Sequence, residues 1–368
     1  MRILFAGGGT AGHINPALAI ANYIKEKQPD TEVHFVGTAE GLEAGLIPHS
    51  GYTLDLIKVH GFERKLSFGT VKTMLEIPGA VAASGKIIKK FKPDIVVGTG
   101  GYVCGPVLYK AAKMKLPTFI HESNAYAGIT TRILSGYVDT VAIGIEAAKS
   151  RIEKAKNIVF TGNPVRPSML TVDSFEARRK LGLDERPFII IFGGSLGARD
   201  FNAAMADWIC SVAKEKKYQI LMGTGKLNQY DAVMERFKAN GINPDDYDNI
   251  TVSEYIYDMD VAMNAADLVI SRAGASTLAE LTAIGKPSVL VPSPYVTDNH
   301  QEHNARAIEA GGGACVLRES ELGVERINSV VEGIAGDGAK LAEMKKAAAK
   351  MGVPDSTDRI YKEIMKLL

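Results

Sequence analysis

The sequence predicts an α/β protein built from two doubly wound parallel sheets, and three observations carry that reading. The chain has 368 residues, more than the roughly 250–300 at which a single core stops growing, so two domains are expected. Short apolar runs alternate with amphipathic stretches, the pattern of parallel strands covered by helices on both faces. The order strand, glycine turn, helix opens the chain and restarts after Pro187.

In the first half, Arg2–Ala6 is followed by Gly7-Gly8-Gly9-Thr10-Ala11-Gly12-His13 and then by Ala17, Leu18, Ile20, Ala21 and Ile24 at helical spacing. Strand, turn and helix is the simplest parse. Residues 32–36, 95–97, 118–120 and 140–143 read as further buried strands. In the second half, Phe188–Phe192 is a strand, Gly193-Gly194-Ser195-Leu196-Gly197-Ala198 a turn, and Arg199 opens a helix carrying Phe201, Met205 and Ile209. Residues 218–222, 249–252, 268–271 and 288–291 supply more strands. Gly162-Asn163-Pro164-Val165-Arg166-Pro167 reads as the linker, which sets domains at 1–163 and 164–355. Ligands of open α/β sheets bind beyond the carboxyl ends of the strands, so the domains are expected to face each other across a cleft.

Composition narrows the function. Cys104, Cys210 and Cys315 lie more than a hundred residues apart without a CxxC pair, which argues against a disulfide framework, a zinc finger or an iron–sulfur site and fits a reducing cytosol. The first apolar run is too short for a signal-peptide core, so no export is expected. The longest apolar runs are strand-sized, below the roughly 20 residues of a membrane-spanning helix. The net charge of +1 conceals an asymmetry: residues 1–160 hold 19 basic and 13 acidic side chains, and the remainder 24 and 29. The excess concentrates between Lys58 and Lys92, with eight basic residues against Glu63 and Glu76. No nucleic-acid partner is expected.

Five motifs bear on chemistry. Gly7-x-Gly9-x-x-Gly12 matches the dinucleotide fingerprint, but that form requires an acid ending the second strand, and Val36 is followed by Gly37 and Thr38 with Glu40 further on. NAD or FAD binding is therefore set behind a simpler role, in which the glycines admit a phosphate to backbone N–H groups at a helix start. A second loop, Gly98-Thr99-Gly100-Gly101-Tyr102-Val103-Cys104-Gly105-Pro106, adds donors beside it, and two such loops suit a diphosphate. Gly193-x-Ser195-x-Gly197 matches the nucleophile elbow of α/β serine hydrolases, with Asp298, His300 and His303 as triad partners. Its plainer reading has Ser195 cap the helix and bind phosphate. Asp258-Met259-Asp260 has the form of a metal-binding pair in some glycosyltransferases, against a plainer role for Asp258 as a helix cap. Arg272–Glu280 opens another helix whose amides could meet a phosphate, with Glu280 placed either to accept ribose hydroxyls or simply to be solvated.

Taken together, Gly8-Gly9-Thr10-Ala11-Gly12-His13, His121-Glu122-Ser123-Asn124, Gly162-Asn163-Pro164-Val165-Arg166, Gly193-Gly194-Ser195-Leu196-Gly197-Ala198, residues 274–280 and Asp298-Asn299-His300-Gln301 resemble the MurG family of membrane-associated N-acetylglucosaminyltransferases of peptidoglycan synthesis. The motifs fall in that family's order over nearly the whole chain. The resemblance implies a GT-B fold with two Rossmann-like domains, and a final helix, 356–368, returning to the first. It implies an inverting, metal-independent transfer of N-acetylglucosamine from UDP to the C4 hydroxyl of the muramyl sugar of undecaprenyl-linked lipid I, giving lipid II, with no cofactor. By motif position the donor site falls on Thr10, Ala11, Gly12, Asn124, Arg166, Ser195, Ile256, Ala275, Ser276, Thr277, Glu280 and Gln301. Ile256 would contact uracil, Glu280 the ribose, Ser195 and Thr277 the phosphates, and Gln301 the sugar. Gly9, Gly100, Gly101 and Tyr102 would take the acceptor diphosphate. Ala11, Ser123, Ser276 and His300 depart from the family's frequent residues without removing a charge the chemistry needs.

His13, with a side chain suited to proton transfer near neutral pH, is the expected base, and Glu122 the alternative. Phe68, Val71, Lys72, Met74 and Leu75, with Lys86, Lys89 and Lys90, form a basic amphipathic element interrupted at Pro78. It is expected to rest on an anionic membrane surface, which places the protein peripherally on the cytoplasmic face of the cell membrane. A different GT-B nucleotide-sugar transferase, and a nucleotide-sugar sensor without activity, are the remaining alternatives.

Overall fold

The structure, a computed structural model, describes residues 1–61, 68–226 and 229–368, except for the side chains of 68–74. It divides into two compact units, Met1–Val165 with Asp355–Leu368, and Arg166–Pro354. The chain passes between them inside the proline-containing segment, two residues beyond the expected boundary, and re-enters the first unit at Asp355.

The first unit is built on seven parallel strands: β1 (Arg2–Ala6), β2 (Glu32–Gly37), β3 (Thr53–Leu56), β4 (Ile95–Gly98), β5 (Thr118–Glu122), β6 (Thr140–Ile143) and β7 (Ile158–Phe160). Their spatial order is β3-β2-β1-β4-β5-β6-β7. The second unit holds β8 (Phe188–Phe192), β9 (Gln219–Gly223), β10 (Ile250–Ser253), β11 (Leu268–Ser271), β12 (Ser288–Leu290) and β13 (Ala314–Val316), in the order β10-β9-β8-β11-β12-β13. Both sheets reverse direction of growth once, at β1/β4 and at β8/β11. There the connections depart to opposite faces and leave a crevice above the strand ends.

Burial explains why the central strands form. All five residues of β5 and of β8 are buried, and β4 is buried throughout, as strands covered on both faces require. The final helix, Ser356–Met365, is amphipathic, and its Ile360 and Ile364 are fully buried in the first unit with Ile14, Ile20, Ile24 and Phe35. Each such isoleucine contributes about 1.5–3 kcal/mol of burial, and Tyr23 Oη donates to Asp358 Oδ1 at 2.9 Å across the same contact.

The expected interruption at Pro78 does not occur: one helix runs Phe68–Phe91 with the proline inside it. A proline removes one backbone hydrogen bond, and the turns beyond it carry the helix on, with Ala80 and Ile88 buried in the core of the first unit. No helix among the described residues is long and apolar enough to cross a membrane.

Candidate active site

In the first unit the glycine loops after β1 and β4 lie side by side, because those strands are neighbours at the point of reversal. The helix after the first loop begins at Ala11, so His13 stands in its first turn. His13 Nδ1 lies 3.1 Å from the Gly8 carbonyl oxygen and 3.2 Å from Thr10 Oγ1. A carbonyl only accepts, so the bond to Gly8 places the ring proton on Nδ1 and makes Nε2 the basic nitrogen. Gly100 and Gly101, at φ +105° and +82°, pack against the ring and the Gly8 carbonyl. A methyl group at 100 would press on the His13 ring, and one at 101 would collide with the Gly8 oxygen. The two loops thus cage the imidazole.

Two of the expected diphosphate donors are already engaged. Gly9 N–H donates to Glu43 Oε2 at 2.9 Å, and Gly100 N–H points at Cys104 Sγ at 3.2 Å. At the helix start the amides of Ala11 and Gly12 have no intrahelical carbonyl to meet. Thr10, the residue before the helix, is exposed and extended. Glu122, the alternative base, is 5% exposed, and its carboxylate accepts from Asn124 N–H (3.0 Å), Asn124 Nδ2 (3.3 Å) and Gly128 N–H (3.1 Å). These bonds shape the 123–128 loop and hold Asn124 in place. The neighbouring His121 is fully buried and donates from Nε2 to the Gly162 carbonyl at 3.0 Å. Burial, the largest influence, takes its pKa below the ordinary value, so it stays neutral.

No motif in the sequence marks Glu43. This carboxylate is fully buried and accepts from Gly9 N–H, from Thr38 N–H (3.0 Å) and from Thr38 Oγ1 (2.8 Å). Burial alone would raise its pKa, but the hydrogen bonds outweigh it and hold the group below the usual carboxylate range.

In the second unit the corresponding neighbours are β8 and β11. The helix after β8 runs Arg199–Val212 with Ala198 in the capping position, so Ser195, exposed in the loop, does not cap it. Left-handed backbone falls on Gly194 and Gly197 and not on Ser195, unlike the strained serine of a nucleophile elbow. After β11, the helix Ala275–Ala283 starts at Gly274 with no side-chain cap, which leaves the amides of Ala275, Ser276 and Thr277 at its positive end. Glu280 is not a solvated helix residue. Its side chain is 12% exposed and meets Arg166 bidentately, Nε to Oε1 at 2.5 Å and Nη2 to Oε2 at 3.1 Å. Gln301 Oε1 accepts from Ser293 N–H at 2.9 Å. Ile256 is buried against Gly223, which has no side chain to exclude it.

Asp258 precedes its helix without capping it and pairs instead with Lys180 at 2.8 Å. Among the described residues no group of three or more His, Cys, Asp or Glu side chains is placed to hold a metal ion. Arg272, which opens the motif before the Ala275–Ala283 helix, donates to the carbonyls of Val291 (3.2 Å) and Pro292 (3.3 Å) and pairs with Glu319, partners the sequence did not reveal. It fastens the chain leaving β12 beside the start of the Ala275–Ala283 helix. Of the basic amphipathic element, Leu75 is 76% exposed and Lys86, Lys89 and Lys90 are exposed; the side chains of Phe68, Val71, Lys72 and Met74 lie outside the described residues.

Comparison with known proteins meets this geometry. The glycosyltransferase family 28 N-terminal domain matches residues 3–143, and the family 28 C-terminal domain residues 188–360. A protein of Acetivibrio thermocellus called UDP-N-acetylglucosamine–N-acetylmuramyl-(pentapeptide) pyrophosphoryl-undecaprenol N-acetylglucosamine transferase is 48% identical over 370 residues, covering 100% of this chain and 99% of its own. A protein of the same description from Caldanaerobacter subterraneus is 44% identical, covering 98% of each chain. The crystal structure of Acinetobacter baumannii MurG superposes with a TM-score of 0.81 at 27% identity, covering 99% of both chains. Neither a serine hydrolase nor an NAD enzyme accounts for matches that run the length of both units, and the chain belongs to glycosyltransferase family 28.

Proposed function

We propose that the protein transfers N-acetylglucosamine from UDP-N-acetylglucosamine to the C4 hydroxyl of the muramyl sugar of undecaprenyl-linked lipid I, releasing UDP and lipid II. The caged imidazole of His13 carries this reading, and the full-length relatives of that description support it. Nε2 of His13 takes the proton of the acceptor hydroxyl as its oxygen attacks the anomeric carbon. The bond from that carbon to the UDP oxygen breaks from the opposite face, and the configuration inverts. The negative charge growing on UDP is met by Arg166 and by the amides of Ala275, Ser276, Thr277 and the Ser195 loop, donors already in place before charge develops. Ile256 contacts uracil. Glu280 leaves part of its Arg166 pairing to accept the ribose hydroxyls, and Gln301 donates to the sugar. These groups supply leaving-group stabilisation, so no metal ion is required. UDP-N-acetylglucosamine is expected to raise the melting temperature more than UDP-glucose does, NAD to leave it unchanged, and EDTA to leave turnover on a soluble lipid I analogue intact. Stabilisation by NAD alone overturns the reading, and loss of turnover in EDTA overturns the metal-free mechanism.

The acceptor's lipid tail gives the basic element its role. Exposed Leu75 with Lys86, Lys89 and Lys90 supports docking on an anionic leaflet, peripherally and on the cytoplasmic face. Co-sedimentation with anionic vesicles at low salt, lost at high salt, is the expected result; equal binding to neutral vesicles sinks the electrostatic part.

A further inference from the structure

We propose that Glu43 is a positioning residue for the acceptor half of the reaction, locking the Gly8–Gly9 turn and, through the Gly8 carbonyl, the orientation of the His13 ring. The inference rests on the reading that this turn serves the lipid-linked acceptor.

A buried carboxylate is costly unless its oxygens are satisfied, and here three donors from two loops converge on it. Oε2 takes the Gly9 amide, while Oε1 takes the amide and hydroxyl of Thr38 at the end of β2. Three glycines make the room: a methyl group on Gly8, Gly37 or Gly41 would run into the Glu43 side chain. The same network reaches the second glycine loop, since Thr38 Oγ1 lies 3.4 Å from Tyr102 Oη and the Tyr102 ring packs on Gly9. A negative group on an anion-binding turn would oppose a phosphate if the Gly9 amide were meant for one. Because the carboxylate consumes that amide, its contribution is geometric: it fixes where the following amides point and holds the Gly8 oxygen where His13 Nδ1 meets it at 3.1 Å.

Two variants test this. Glu43→Gln keeps the size but brings an N–H donor against at least one existing donor. Gly41→Ala leaves the carboxylate in the chain and displaces its flexible end, at a glycine whose backbone is not left-handed. For each, kcat and KM are measured with a soluble lipid I analogue and with UDP-N-acetylglucosamine, the dissociation constant of UDP by calorimetry, and folding by circular dichroism. The expected result is a loss of about 10–100-fold in kcat/KM for the acceptor, the scale of a misplaced catalytic group, with UDP affinity unchanged and the fold retained. A structural role alone would lower the melting temperature without this split between acceptor and donor. Acceptor kcat/KM within twofold of wild type in folded Gly41→Ala overturns the proposal, and that variant decides if Glu43→Gln fails to fold. An inactive wild-type protein would instead defeat the functional reading on which the proposal stands.

Discussion

Replacing His13 by alanine is expected to lower turnover about 10²–10⁴-fold, the range a positioned general base contributes, while UDP binding stays at the wild-type value. The split follows from placement. His13 belongs to the first unit and is held by Gly8, Thr10, Gly100 and Gly101, whereas Arg166, Glu280 and the Ala275–Ala283 helix belong to the second. Its Nδ1 proton is engaged by the Gly8 carbonyl, so the ring presents Nε2 as the base without a tautomer change. His13→Gln tests the assignment more sharply. Glutamine can still donate a hydrogen bond but cannot take up a proton near neutral pH, so it should be as slow as alanine if His13 is the base. If the histidine only binds a phosphate, glutamine should recover most of the rate. Turnover of a soluble lipid I analogue, followed as UDP release under single-turnover conditions, separates the two outcomes.

The contrast between what could and could not be read from sequence has a physical pattern. Central strands such as β5 and β8 are buried on both faces and appear as unbroken apolar runs. The strands missed, β3, β7 and β13, are all at sheet edges. There one side needs no apolar cover, and a segment such as Thr-Leu-Asp-Leu carries little periodic signal. The glycine loops were legible because a strand, a glycine cluster and a helix start are contiguous in sequence. Which of their amides remain for a ligand was not, because the competing groups come from afar. Glu43 is 34 residues from Gly9 and Arg166 is 114 from Glu280, while Arg272 finds Glu319 47 residues on. The cap assignments for Ser195 and Asp258 failed for a related reason. Proximity to a helix start is visible in sequence, but the partner that claims the side chain, Lys180 for Asp258, is not.

Gly197→Ala is expected to weaken UDP binding by about 10–100-fold, and the reason is backbone against backbone. Gly197 has φ +82°, which costs an L-residue about 1–2 kcal/mol. Its added methyl would also strike the Thr224 carbonyl and lie 2.8 Å from Gln229 Cγ. The Thr224 segment cannot easily retreat. Thr224 N–H donates to the Ser253 carbonyl at 2.9 Å, Gly225 N–H to the Glu254 carbonyl at 2.8 Å, and Asn202 Nδ2 to the Thr224 carbonyl at 2.7 Å. The Ser195 loop must therefore move instead, carrying its amides and hydroxyl away from the position proposed for the diphosphate. A tenfold change in affinity is about 1.4 kcal/mol, which the left-handed backbone alone could approach, so a control is needed. Gly182, in the same unit at φ +67°, has nothing within 4 Å of an added methyl. Gly182→Ala therefore bears the conformational cost without a collision and away from the loop. Calorimetric titration with UDP should show wild-type affinity for Gly182→Ala and the loss for Gly197→Ala. Equal affinities would mean that the Ser195 loop does not hold the diphosphate.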